Sequence, residues 1–343
     1  MGVNLGGIVE KKKTSLEDLQ GKSLAVDGYN ALYQFLAIIR GTMGEPLTDR
    51  AGRITSHLSG LFYRTVNMIE RGIRVVYVFD GEPPALKEVE IKRRMQIKEE
   101  AIIRYEDALK RGAVEEAKRY AQMTSRLKDD MVEDAKRLLS SMGVPWIQAP
   151  SEGEAQAAYI VSESHLWAVA SQDYDSLLFG APILVRNLTV SGRRKLPGKN
   201  VYVEVEPEII DLRKALTDLG LTREQLIDVA ILLGTDYNPG GFKGIGPKTA
   251  LKLIRELGTL ERAVEELQQD RTAEELLKIR QIFLEPKVTD DYKIEWRKPD
   301  PESTIQFLCK ERDFSEERVR NALDRILKSS ESGRVTLERF FGD

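Results

Sequence analysis

Seven acids stand where the local pattern predicts a strand end or a turn: Asp27, Asp80, Glu152, Glu154, Asp173, Asp175 and Asp236. An all-oxygen set of this kind suits hard divalent cations. Magnesium takes one or two carboxylates directly and keeps several waters. Two such ions about 4 Å apart can activate a water and stabilise the leaving oxygen of a phosphodiester. Metals are required because a bare acid cluster repels both itself and a polyanion, and the ions reverse that sign. Each acid also has a plainer role open to it, as a turn former or helix N-cap. Ser151-Glu-Gly-Glu154 fits the capping box Ser-x-x-Glu, which would commit Glu154 to a helix start. Glycoside hydrolysis also uses paired carboxylates. It needs only two, usually beside aromatic sugar platforms, and this chain has more acids than that and three Trp.

Two further features bear on phosphate. Lys87, Arg94 and Lys98 are spaced by near-whole numbers of helical turns, so a helix would set all three on one face. Such a stripe binds phosphates or is simply a solvated charged face. Gly244-Ile-Gly-Pro-Lys-Thr-Ala250 follows Gly241 at nearly the spacing of a P-loop, but Pro247 interrupts the motif and no strand pattern precedes it. A helix–hairpin–helix fits better. Pro247 suits the first helical turn. Gly244 and Gly246 let backbone approach a phosphate at a helix N-terminus, an interaction independent of base sequence, with Lys243 and Lys248 beside it. A plain glycine-rich turn is the alternative.

Elements must position these groups. Ser23-Leu-Ala-Val ends at Asp27, Val75-Val-Tyr-Val-Phe ends at Asp80, and Trp167-Ala-Val-Ala-Ser leads to Asp173 and Asp175. These short apolar runs read as buried parallel strands. An amphipathic helix over 54–71 and another after Ser151-Glu-Gly-Glu154 alternate with them, which predicts an α/β sheet covered on both faces. Ligands of such sheets bind beyond the carboxyl ends of the strands, where these acids would converge. The stretch 86–142 has no strand signal and is crowded with charge, so it reads as two or three long helices inserted into the sheet domain. From about 207 the chain is mainly helical, with helices expected over 222–233, 247–256, 301–311 and 314–328. The expected division is 1–85, the insertion 86–142, then 143–330 with the hairpin at about 222–256, and a tail over 331–343.

Composition bounds the rest. The 343 residues are 41 % hydrophobic, enough for one large domain or two ordinary ones. No run of about 18 apolar residues exists, so no membrane association is expected, and the N-terminus carries no secretion signal. The net charge of −3 means that any binding of nucleic acid comes from local patches. A charged fraction of 31 % on long helices is common in heat-stable proteins. A single cysteine, Cys309, excludes an intramolecular disulfide and points to a reducing compartment. With only His57 and His165, a zinc finger is excluded and histidine-based catalysis is disfavoured.

The motifs Val26-Asp27-Gly-Tyr-Asn30, Tyr77-Val-Phe-Asp80-Gly-Glu-Pro-Pro84, Ala149-Pro-Ser-Glu152-Gly-Glu154-Ala155, Ser171-Gln-Asp173-Tyr-Asp175 and Leu233-Gly-Thr-Asp236-Tyr237 together resemble the flap endonucleases of the 5′-nuclease superfamily. They occur in family order over almost the whole chain. The resemblance implies an α/β fold with a twisted, largely parallel sheet, a helical arch and a C-terminal helix–hairpin–helix region. It also implies removal of 5′ flaps from branched DNA in Okazaki-fragment maturation and long-patch base-excision repair. The seven acids resemble the family's metal ligands, which would hold two Mg²⁺ ions, with Mn²⁺ as a substitute. Lys87 and Arg94 match arch cations on the scissile phosphate. Tyr33 matches an aromatic that stacks on a base near the cut, and Arg40 and Arg64 match arginines on the DNA-binding side. The 241–250 loop matches a site where K⁺ bridges backbone carbonyls and a phosphate, and the free amine of Gly2, if Met1 is removed, would lie near the active site. The tail resembles a box that binds a PCNA-type sliding clamp: Leu337, Phe340 and Phe341 fit it, while Arg334 replaces its Gln. The short tail, without the basic extension of eukaryotic members, looks like that of archaeal members, which implies a cytoplasm without a nucleus, and a monomer is expected. A 5′–3′ exonuclease, a junction resolvase and a catalytically inactive clamp-associated scaffold are the competing readings.

Overall fold

The computed structural model describes residues 2–42, 44–163, 166–195, 202–268 and 272–331. The first half builds a sheet and the helices that follow its strands: β1 (Lys12–Lys13), β2 (Ser23–Asp27), α1 (Gly28–Ile38), α2 (Ser56–Glu70) and β3 (Arg74–Phe79). Three helices come next, α3 (Glu88–Lys110), α4 (Val114–Ala121) and α5 (Asp129–Ser141). The sheet resumes with β4 (Trp146–Gln148), α6 (Gly153–Glu163), β5 (Ala168–Ala170), α7 (Asp175–Leu178) and β6 (Ile183–Arg186). A two-stranded ribbon, β7 (Gly192–Lys195) with β8 (Tyr202–Val205), stands apart, and β9 (Glu208–Asp211) returns to the sheet. The remainder is helical: α8 (Leu212–Leu219), α9 (Arg223–Leu233), α10 (Pro247–Leu257), α11 (Leu260–Leu267), α12 (Ala273–Leu284), α13 (Pro301–Ile305) and α14 (Glu316–Glu331).

The seven strands lie in the order β1-β9-β6-β5-β2-β3-β4. From β6 to β4 neighbouring strands are parallel, and β9 and β1 close one edge antiparallel. The strands read as unbroken apolar runs because both faces are covered. Ala25, Val76, Val78 and Val169 face a core shared with α6 and α9 to α12. Their neighbours Leu24, Val26, Val75, Tyr77 and Phe79 face a second core shared with α1, α2, α5 and α14. This is the period-two alternation of a strand expressed in a doubly covered sheet.

The helices expected over 54–71, 222–233 and 247–256 form nearly at those bounds. Residues 301–311 instead divide between α13 and a π-helical turn over Gln306–Glu311 that buries Phe307 and Leu308. The charged stretch 86–142 also divides. Val132, Ala135, Leu138 and Leu139 of α5 lie in the second core, so α5 is a helix of the sheet layer. By contrast, α3 buries only Glu90, Ala101 and Ala108, and leaves Val89, Met95 and Ile103 exposed.

Candidate active site

Strand topology brings the acids together. Asp27 ends β2, Asp80 follows β3 directly, Glu152 and Glu154 follow β4, and Asp173 and Asp175 follow β5. These four strands are adjacent and parallel, so their carboxyl ends open on one side. Asp236 arrives from the loop after α9. Each of the seven lies within electrostatic reach of at least two others. The interactions divide the cluster into two lobes. One holds Asp27, Asp173, Asp175 and Glu154, the other Asp80, Glu152 and Asp236, and the pairs Asp27–Asp80 and Asp175–Asp236 join them.

Cations from the start of the charged stretch enter the second lobe. Lys87 Nζ lies 2.6 Å from Glu152 Oε2 and 3.5 Å from Asp236 Oδ2. Arg94 Nη2 donates to Asp236 Oδ1 at 2.5 Å, and its Nε donates to Glu90 Oε1 at 2.8 Å. Burial opposes the charge on Lys87, but Glu152, Asp236 and Asp80 outweigh it and raise the ammonium pKa. Among the described residues the first lobe makes no ion pair. Burial, then Asp80, pushes Asp27 up to about 8. Burial, then Asp236 and Asp173, pushes Asp175 up to about 7, and burial with Asp27 and Asp175 raises Glu154 well above the usual carboxylate range.

The donor set fits a hard divalent cation. It is all oxygen, and its desolvation and mutual repulsion are both relieved by positive charge. Among the described residues no three His, Cys, Asp or Glu side chains are already gathered as a coordination shell. In the second lobe Lys87 and Arg94 hold Glu152 and Asp236 on an ammonium and a guanidinium.

Several acids keep their plain structural roles as well. Asp27 caps α1, accepting from Asn30 N at 2.9 Å, and Asp80 Oδ1 accepts from Gly153 N at 2.6 Å at the start of α6. The capping-box reading of Ser151 and Glu154 does not hold. The Ser151 hydroxyl donates to the Glu82 carbonyl at 2.9 Å, and Glu154 Oε1 accepts from Ser176 Oγ at 2.7 Å. Glu154 is thereby turned toward the cluster. The N-terminus also reaches it: Val3 N donates to Asp175 Oδ1 at 2.8 Å, and a Cβ on Gly2 would collide with that carboxylate.

Other expected residues lie at varied distances from the chemistry. Tyr33, on α1, is covered by Lys98, whose Nζ stands 4.6 Å from the ring centroid. The Arg40 guanidinium is occupied inside the protein by the Leu36 and Gly44 carbonyls and Ser125 Oγ. Arg64 Nη1 donates to the Ser191 carbonyl at 2.6 Å. Lys243, on the loop between α9 and α10, and Lys248, in the first turn of α10, are exposed. Pro247 opens α10 after Gly246, and the helix has no side-chain cap and no acid in its first turn. Because α9 is a helix, the P-loop reading falls. Gly241 has φ +52°, and a Cβ there would strike the Leu233 and Gly234 backbone, so the turn needs glycine. Leu337, Phe340, Phe341 and Arg334 lie outside the described residues. Sequence reasoning missed Glu90, which anchors Arg94 from one turn earlier on the same helix, and Asn30, which donates to Asp173. The i, i+4 spacing of Glu90 and Arg94 was the available signal for the first.

Known proteins bear on this geometry. Residues 1–101 match the XPG N-terminal domain and 143–236 the XPG I-region. Flap endonuclease 1 of Ignicoccus hospitalis is 59 % identical over 335 residues, covering 96 % of this chain and 95 % of the relative. The solved flap endonuclease-1 from Methanococcus jannaschii is 45 % identical with a TM-score of 0.76, covering 96 % of this chain and 99 % of that one. The catalytic core of Rad2 in complex with DNA substrate is 26 % identical with a TM-score of 0.67, over 94 % of this chain and 97 % of that one. Identity of this degree along nearly the full length of both chains, carried on a shared fold, places this chain in the flap endonuclease family of structure-specific nucleases.

Proposed function

We propose that this chain hydrolyses a phosphodiester at the base of a 5′ flap in branched DNA, serving Okazaki-fragment maturation and long-patch base-excision repair. One observation carries the reading: seven carboxylates from four adjacent strand ends and one loop converge beside two cations, Lys87 and Arg94. Asp27, Asp80, Glu152, Glu154, Asp173, Asp175 and Asp236 would hold two Mg²⁺ ions, with Mn²⁺ able to replace them. Bound there, the ions supply a nucleophilic water at neutral pH and stabilise charge on the leaving oxygen.

The chain's own groups do the rest. Lys87 and Arg94 trade carboxylate partners for the non-bridging oxygens of the scissile phosphate and stabilise charge that grows in the transition state. Residues 86–124, entered through Lys87 and built on α3 and α4, act as the arch over the single-stranded flap. Tyr33 supplies a stacking face once Lys98 moves aside. Gly244, Gly246, Lys243 and Lys248, at the uncapped start of α10, grip a duplex phosphate, and the carbonyls of the 241–250 loop would hold a K⁺ ion whose charge favours that phosphate. Arg40 and Arg64 brace the DNA-facing segments that their guanidinium groups already hold. The enzyme works as a monomer and docks through Leu337, Phe340 and Phe341 on a PCNA-type sliding clamp. Among the described residues no helix is long and apolar enough to cross a membrane.

Incubation with Mg²⁺ and labelled flap, nicked, blunt, single-stranded and four-way DNAs tests this directly. The flap should be cut fastest, EDTA should stop all cleavage, and Asp173→Asn should lose turnover while retaining DNA binding. Equal cleavage of every form would sink the structure-specific claim. Preference for the four-way form would favour a resolvase.

A further inference from the structure

The first lobe of the cluster is backed by a line of polar side chains that the metal reading does not use. Asn30 and Gln34 lie one turn apart on the same face of α1. Asn30 grips two acids at once. Its backbone N–H donates to Asp27 Oδ1 at 2.9 Å, and its side-chain Nδ2 donates to Asp173 Oδ2 at 3.2 Å. Gln34 Nε2 in turn donates to Asn30 Oδ1. Thr189 Oγ1, in the turn after β6, donates to Gln34 Oε1 at 2.7 Å. Thr189 and Ser191 are buried, and Arg64 Nη1 holds the Ser191 carbonyl of the same turn.

The direction of this line is fixed by chemistry. An ionised carboxylate only accepts, so the Asn30 NH₂ must face Asp173. The Asn30 oxygen then faces Gln34, whose NH₂ must donate to it, which leaves the Gln34 oxygen for the Thr189 hydroxyl. Every link runs donor to acceptor toward the acid. A carboxylate that must present one oxygen to a cation needs its other oxygen tethered, and such outer partners set ligand orientation and metal affinity.

We propose that Thr189, Gln34 and Asn30 form a one-way donor chain that fixes the Asp173 carboxylate for a divalent cation, with Asn30 and Gln34 as positioning residues. The proposal rests on the carboxylates being metal ligands. Gln34 touches no acid, so its effect must pass through Asn30. A glutamate at position 34 cannot donate. It would turn the Asn30 amide over and aim that oxygen at Asp173.

Mn²⁺ binding to the DNA-free protein, followed by the electron-paramagnetic-resonance signal of free Mn²⁺, tests the chain alongside single-turnover and steady-state cleavage. Asn30→Leu and Gln34→Glu should each weaken Mn²⁺ binding by roughly tenfold. Both should lower kcat with KM for flap DNA unchanged, at a melting temperature near that of the parent. Thr189→Val, which keeps shape and loses only the hydroxyl, should show a smaller loss in the same direction, and Thr189→Ser should restore it. If the position-34 variant fails to fold, the Thr189 pair decides alone. Parental Mn²⁺ affinity and kcat in Gln34→Glu, or equal behaviour of Thr189→Val and Thr189→Ser, overturns the donor chain. The metal reading fails separately, if the parent binds no Mn²⁺ or if Asp173→Asn binds it as well as the parent does.

Discussion

Lys87 is held between two acids of the second lobe. Its ammonium is half of an ion pair with Glu152 and lies within reach of Asp236. A phosphate between metal-held carboxylates and this ammonium would take over that partner. Lys87→Ala should therefore cut kcat by roughly 10²-fold, with a smaller effect on DNA affinity, because the charge acts on the transition state. A defect seen only in KM, and gone at saturating DNA, would make Lys87 a docking charge. His57 bears on stability instead. It is fully buried on α2, neither ring nitrogen has a hydrogen-bond partner among the described residues, and burial pushes it down to about 4, with Asp130 opposing and Arg312 reinforcing. The fold thus favours the neutral ring. Above pH 6.5 folded and unfolded states are both neutral there. As pH falls toward 4 the unfolded chain takes the proton first, and up to about 3 kcal/mol of stability is lost. His57→Leu should remove that dependence, and should be near neutral or stabilising at pH 7 because it also deletes unsatisfied polar atoms. Denaturant titrations of both proteins between pH 4 and 7 check this. Parallel curves would mean that the ring is solvated or paired in solution.

At the scale of elements, α3 and the α9–α10 hairpin are the two parts proposed to meet DNA. Lys87, just before α3, and Arg94 on it point inward, while the helix leaves Val89, Met95 and Ile103 exposed, a face with little core of its own. Lys98, on the same stripe, spends its charge over Tyr33. The hairpin is held by Phe242 N on the Leu232 carbonyl and by Asn238, which accepts from Thr235 N and donates to the Ile231 carbonyl. These bonds keep the N-terminus of α10 open beside two exposed lysines. Changing Lys243 and Lys248 together to Ala should weaken binding to DNAs with a duplex arm. It should also reduce the slope of log K against log salt by about 0.9 for each phosphate that the variant no longer neutralises. An unchanged slope would mean that the hairpin does not hold the duplex.

The whole molecule joins these parts through one sheet, and the C-terminal third straps them together. Trp296 Nε1 donates to the Val75 carbonyl at 2.9 Å, Arg297 N to the Gly143 carbonyl at 2.8 Å, and α14 packs in the second core beside α2. Leu337, Phe340 and Phe341 have the i, i+3, i+4 spacing of a single helical turn that could enter an apolar groove. Deleting residues 334–343 should leave cleavage of free flap DNA nearly unchanged and abolish stimulation by the organism's own clamp. Full stimulation of the shortened enzyme would show that docking lies elsewhere. Arg334 lacks the paired donor and acceptor of the Gln it replaces, so Arg334→Gln should tighten clamp binding in the same assay.

The sequence alone determined what local pattern can encode. Apolar runs ending in acids gave strands β2, β3 and β5 and the side of the sheet on which the acids lie, because a doubly covered parallel strand leaves few alternatives for a carboxylate at its end. Pro247 marked the start of α10 for an equally local reason, its missing N–H. Partners distant in sequence were decided only by tertiary structure. Charge counting along 86–142 merged α5 with α3, although an apolar stripe binds α5 to the second core. Ser151 and Glu154 satisfied a capping pattern until Glu82 and Ser176 supplied other partners. The ion pairs from Lys87 to Glu152 and from Arg94 to Asp236 span 65 and 142 residues, and the links from Asn30 to Asp173 and Thr189 to Gln34 span 143 and 155. A side chain's type states which bonds it can make, but strand order and helix packing decide which of its possible partners comes within reach.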